Sequence, residues 1–92
     1  MIYTLIVSKE ADEDIANLKK DENIAYRKVM QLFEELQEHP RSGTGKPKIL
    51  KHGELKGLWS RHITNKHRLV YAINDNKISV LILSAKKHYD DK

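Results

Sequence analysis

The second half of this 92-residue chain interleaves cations with aromatic and titratable rings. Lys46, Lys48, Lys51, Lys56, Arg61, Arg68, Lys86 and Lys87 alternate with Trp59, His62, Tyr71, His88 and Tyr89. Cations suit phosphates and rings suit base stacking, the composition of a single-stranded nucleic-acid surface. RNA cleavage through the 2′-hydroxyl needs a base, an acid at the leaving oxygen, and positive charge on the phosphate. Histidine serves as acid or base near neutral pH, and the arginine fork donates two hydrogen bonds to a phosphate. Each residue alone also has an ordinary reading. His88 is then a surface histidine near a terminus, Arg68 a cross-sheet partner of a carboxylate, Trp59 hairpin packing, and the lysines solubility charges on a loop and an edge strand.

Charge is divided unevenly along the chain. Residues 1–40 carry five Lys/Arg and nine Asp/Glu, a net of −4, whereas residues 41–92 carry twelve and four, a net of +8. A basic half favours a polyanionic partner, although a solvated basic surface has the same composition. With no cysteine, disulfides, thiolate metal sites and cysteine nucleophiles are excluded. The five histidines lack metal-ligand spacing with carboxylates, so neither metal nor cofactor is expected. Gly43-Thr44-Gly45-Lys46 lacks the spacing and following hydroxyl of a phosphate loop. Ser60 and Ser84 have no nucleophile-elbow context. The apolar run Val80–Leu83 is far short of the roughly 20 residues of a membrane span. Residues 1–7 do not read as a signal peptide, and a cytoplasmic address is expected.

The elements that must position these residues form one domain over 1–92. Residues 1–7 read as a strand. Ser8 is placed to cap a helix whose first turns carry Glu10, Asp12, Glu13 and Asp14; Ala11, Ile15 and Leu18 form its apolar face, and Lys19 and Lys20 close it. Asp21 or Asn23 caps a second helix, with Tyr26, Met30 and Phe33 as one apolar row and Val29, Phe33 and Leu36 as its neighbour. It ends before Pro40. Residues 41–47 are loop by composition. Strands follow at 48–52, 57–64, 67–74 and 78–85, the last apolar as a central strand would be. Asn65-Lys66 and Asp75-Asn76 provide turns through tolerance of positive φ. The class is α+β: an N-terminal strand, a two-helix hairpin, then a mainly antiparallel sheet.

The stretch Gly45-Lys46-Pro47, Leu50-Lys51, Leu55-Lys56-Gly57-Leu58-Trp59-Ser60-Arg61, His67-Arg68-Leu69-Val70-Tyr71 and His88-Tyr89 resembles the Txe/YoeB branch of the RelE-type bacterial toxins. The likeness runs from about residue 40 to residue 89; earlier residues agree in pattern. The resemblance implies a microbial-ribonuclease-like α+β fold and a toxin of a type II toxin–antitoxin system, a ribosome-dependent endoribonuclease cutting mRNA at the A site. It implies a YefM/Axe-like antitoxin, the ribosome and mRNA as partners, operator DNA only through the antitoxin, and room for a homodimer. Carried over by position, Arg68 steadies the scissile phosphate, His88 is the general acid and Tyr89 positions the mRNA. Lys46, Lys51, Arg61, His62 and Trp59 fall at RNA-facing positions. Where the family usually has a glutamate as base, directly after the proline, this chain has Lys48. The base is then Lys48 itself, Glu54, or one of His62 and His88. Two other readings stay open: a catalytically impaired toxin homologue that only binds antitoxin as a co-repressor, and a ParE-like gyrase inhibitor, a branch without the terminal His-Tyr pair.

Overall fold

A computed structural model describes residues 2–87. Strand β1 (Thr4–Val7) leads into α1 (Lys9–Asp21) and α2 (Asn23–Glu38). Strands β2 (Lys48–Ile49), β3 (Trp59–His62), β4 (His67–Asn74) and β5 (Ser79–Lys87) follow, with a 3₁₀ turn at Gly53–Leu55. The sheet order is β1-β5-β4-β3-β2. β1 is parallel to β5 and the remaining pairs are antiparallel. The apolar run around Val80–Leu83 thus lies inside the sheet, where both of its edges are paired.

Ser8 caps α1, its Oγ accepting from the Ala11 amide at 3.0 Å, and the acidic first turn suits the helix dipole. The expected side-chain cap of α2 is absent. Glu22 occupies the cap position without a side-chain bond to the helix; its carboxylate faces His67 Nε2 at 2.9 Å instead. Neither Asp21 nor Asn23 is used, because α1 and α2 are separated by this single residue. The buried stripe of α2 is Ala25, Val29, Leu32 and Leu36. Tyr26, Met30 and Phe33 only flank it, so the first expected row is displaced by one position, while Val29 and Leu36 of the second are buried.

The helices lie on one face of the sheet and bury Ile63, Leu69, Tyr71, Val80, Ile82 and Ala85. Two strands are shorter than the sequence pattern suggests. β2 keeps two residues of the expected five, and β3 four of the expected eight. Between them, the Leu50 amide donates to the Leu58 carbonyl at 2.8 Å and pinches off an excursion. The turns stand where expected, by other means. Thr64 Oγ1 accepts from the Lys66 and His67 amides, and in the β4–β5 turn the residue with positive φ is Ile78 (φ 48), not an Asx residue.

Candidate active-site groove

Cross-strand register assigns each side chain to one of the two sheet faces, since alternate residues point opposite ways. Val70 pairs with Ser60 and Ser84, and Ser60 in turn with Lys48. One row on the face away from the helices is therefore Lys48–Ser60–Val70–Ser84. The next row is His62–Arg68–Lys86. Paired residues in antiparallel strands have Cα atoms about 4.5–5.5 Å apart, so Arg68 stands between a histidine and a lysine. Lys48 lies two strands across and one row along from Arg68, about 12 Å at the usual strand dimensions.

This face opens into a groove of about 430 Å³. Val70, Leu83 and Ser84 contribute from the sheet, Leu55 and Leu58 from the excursion, Ser8 and Glu10 from the start of α1, and Arg68 and Lys86 from its cationic row. A register irregularity at Val70/Tyr71 shifts the pairing so that Val70 faces Ser84 while Tyr71 faces Ile82. The extra residue, Leu83, joins Ser84 in the groove, as a β-bulge allows. Lys86 Nζ donates to Glu10 Oε2 at 2.5 Å, and this bond raises the lysine above its ordinary value. Arg68 Nε is shielded from solvent and has no acceptor among the described residues.

Lys46 and Lys51 are exposed on the segments flanking β2, and Lys48 is exposed on that edge strand. Glu54 is exposed on the 3₁₀ turn. His62 is half-buried beside Arg68. His88 and Tyr89 lie outside the described residues. Two expectations are corrected. Trp59 pairs with Tyr71 and packs against the core, which puts it on the helix side of the sheet, away from the groove. Arg61 has no exposed surface, and a side chain closed to solvent presents no donor to RNA.

Arg61 instead holds the loop that leads into β2. Its Nε donates to Tyr71 Oη at 3.1 Å, Nη1 to Glu35 Oε1 at 3.0 Å and to the Thr44 carbonyl at 3.2 Å. Its Nη2 donates to the carbonyls of His39 at 2.5 Å and Ser42 at 2.7 Å. Tyr71 Oη passes its own proton to the Pro40 carbonyl at 2.9 Å. Glu35 accepts from the Thr44 hydroxyl at 2.6 Å and the Thr44 amide at 2.8 Å. Thr44 above all, and then Arg61, hold its carboxyl below the ordinary value against the opposing cost of burial. Burial pushes the Tyr71 phenol up. Gly45 completes the packing: a Cβ there would come within 2.7 Å of the His62 carbonyl, and its φ is +88. The glycine-rich loop is thus a strap tied to a buried arginine, and it delivers Lys46 and Lys48 to the sheet edge.

The sequence reading missed the apolar part of the groove and the place of Glu10 at its rim. Glu10 fits a helix N-terminus so well that its composition carries no second signal. The one trace of the Arg61 network was the pair Gly43 and Gly45, whose spacing marks a close backbone approach.

Comparison with known proteins places these features in a family. Residues 7–89 match the family model described as YoeB-like toxin of bacterial type II toxin–antitoxin system. Toxin YoeB of Escherichia coli K12 is 40% identical over 85 residues, covering 92% of this chain and 98% of the relative. A YoeB dimer from Staphylococcus aureus superposes with a TM-score of 0.81 at 32% identity, covering 97% of this chain and all of that one. A YoeB–YefM complex from the same organism gives 0.79 at 30% identity, with the same coverage. Family model, sequence relative and solved structures agree over nearly the whole length, and the chain belongs to the YoeB-like toxins of bacterial type II toxin–antitoxin systems.

Proposed function

We propose that this toxin is a ribosome-dependent endoribonuclease that cleaves mRNA in the A site, and that a YefM-like antitoxin neutralises it. The observation that carries the reading is the row His62–Arg68–Lys86 at the head of an open groove. Arg68 keeps a donor without an acceptor, and a buried unpaired donor is costly until a ligand oxygen reaches it. A phosphate entering the groove supplies that oxygen. Lys86 stands beside Arg68 to share the growing negative charge, as phosphoryl-transfer sites require.

Chemically, a base takes the proton of the 2′-hydroxyl, O2′ attacks phosphorus, and the bond to the 5′-oxygen breaks. A 2′,3′-cyclic phosphate forms, and the leaving oxygen collects a proton from the acid. His88 is the acid and Tyr89 positions the mRNA, on the resemblance of the terminal pair. His62 and Lys48 are the candidates for the base. Both share the groove face, and His62 has the shorter reach because it is directly across from Arg68. Lys46 and Lys51 border the same edge and supply charge for more distant phosphates.

The partner follows from charge and from the relative. The staphylococcal toxin is solved with YefM. A basic half of net +8 favours an acidic segment that orders on binding, so affinity falls as salt rises. Self-association follows the staphylococcal dimer and is read from the mass of free toxin in solution.

The test is purified toxin on programmed ribosomes with primer extension of the mRNA, alongside Arg68→Gln and His88→Ala. Cuts at the A-site codon that vanish in both variants are the expected result. Intact mRNA with a folded, antitoxin-binding wild type overturns the ribonuclease reading. It would favour the co-repressor, for which Lys48 at the glutamate position is the specific support.

A further inference from the structure

We infer that the apolar half of the groove is a nucleobase subsite, in which the base of the nucleotide held by Arg68 lies over Val70 and Leu83 against a wall formed by Leu55 and Leu58. The inference rests on the phosphate-binding reading of Arg68 given above. It adds a residue set that the phosphate chemistry does not require.

The groove has two chemistries at its two ends. Arg68 and Lys86 form one end, and Leu55, Leu58, Val70 and Leu83 the other. A ligand that satisfies both is anionic at one end and flat and apolar at the other, as a nucleotide is. Its volume of about 430 Å³ lies within the roughly 300–1,000 Å³ range of small-molecule pockets. Leu55 and Leu58 belong to the groove rather than to the core. Neither is part of the hydrophobic cluster beneath the helices, yet both are half-buried against the sheet. The excursion that carries them is fixed. Gly57 N donates to the Leu50 carbonyl at 2.8 Å, Lys56 N to the Gly53 carbonyl at 3.2 Å and Leu58 N to the Leu55 carbonyl at 3.0 Å. A wall with that many backbone bonds is in place before ligand arrives, which limits the ordering cost of binding.

The irregularity in β5 serves the same end. Regular alternation would turn Leu83 toward the helices, whereas the register shift puts it beside Ser84 in the groove. Among the described residues no aromatic ring lines the groove, so on this wall the base meets aliphatic side chains. Such contacts do not read hydrogen-bonding edges and therefore tolerate several bases.

The test uses wild-type toxin with labelled leucine and valine methyl groups. It is titrated with adenosine 3′,5′-bisphosphate and with the corresponding sugar bisphosphate lacking the base. The expected result is methyl shifts at Leu55, Leu58, Val70 and Leu83 with the nucleotide only, and a roughly tenfold tighter affinity for it, the scale of burying part of an apolar face. In Leu58→Ala that advantage shrinks while the baseless compound binds as before. Equal affinity for the two compounds, with no methyl shift that the nucleotide causes and the baseless compound does not, overturns the subsite and leaves the phosphate reading intact. Failure of both to bind removes the two readings together. Methyl shifts caused by an acidic peptide and by neither phosphate compound would assign the groove to protein docking, which also overturns the inference.

Discussion

Glu35 on α2 accepts from Arg61 on β3 at 3.0 Å, and residues 39–44 run between the elements that carry them. The loop's carbonyls and amide complete the coordination of both side chains. The pair therefore acts as a fastener of the loop to the sheet.

Replacement of Arg61 by Met should remove about 3–5 kcal/mol of stability, the scale for breaking a buried pair from one side. The loss includes the carbonyls of His39, Ser42 and Thr44 left without their donor. Urea unfolding of Arg61→Met against wild type measures it. A change near zero would mean that the loop holds itself.

Acid should weaken the same fastener. The Glu35 carboxyl is held below its ordinary value in the folded protein, by Thr44 first and then by Arg61. A depressed folded value stabilises above the unfolded value, and the stabilisation is lost as pH falls through the folded one. Asp75, held below 3.8 by Arg41 and then Tyr3, shares that sign on the exposed side. The urea midpoint of wild type should fall on acidification below about pH 4.5, and Glu35→Gln should flatten that fall while starting lower.

Ile78→Asn should stabilise the protein by about 1 kcal/mol, because a β-branched residue at positive φ is strained and Asn tolerates that region. Ile78 has φ 48 and closes the turn between β4 and β5. Its carbonyl accepts from Thr4 N at 2.9 Å, a bond the substitution retains. Thermal unfolding reads the gain. A lower midpoint would show that the half-buried side chain contributes more than the backbone loses.

The two candidate bases separate by mutation. Loss of the base should reduce A-site cleavage by roughly 10²–10⁴-fold. We expect that loss in His62→Asn and a smaller one in Lys48→Ala, because Lys48 is two strands across and one row along, about 12 Å, from Arg68. Single-turnover cleavage on ribosomes decides the order, and the reverse order would return the base to the edge strand.

Much of the architecture is legible in the residues. Ser8 and the acidic turn after it, the break before Pro40, and the alternation in 67–74 each encode their element locally. What is not legible arises from contacts remote in sequence. Arg61 sits in an alternating segment among cationic and aromatic residues, and nothing near it in the chain says that Glu35 and three loop residues will enclose it. The parallel partner of β1 is likewise silent in the sequence, since no turn connects it to β5. For the site, the cationic row follows from register once β3, β4 and β5 are paired, but the apolar wall depends on where the Leu50–Leu58 excursion folds.

The pairing of Thr4–Val7 with Ser79–Ile82 has a consequence for the order of events during synthesis. β5 supplies Leu83, Ser84 and Lys86 to the groove, and it also anchors the first strand. While the nascent chain still holds these residues in the exit tunnel, β1 has no neighbour and Arg68 has no flanking lysine. Such long-range closure comes late in folding. A protein assembled this way has no complete groove until its last strand has emerged.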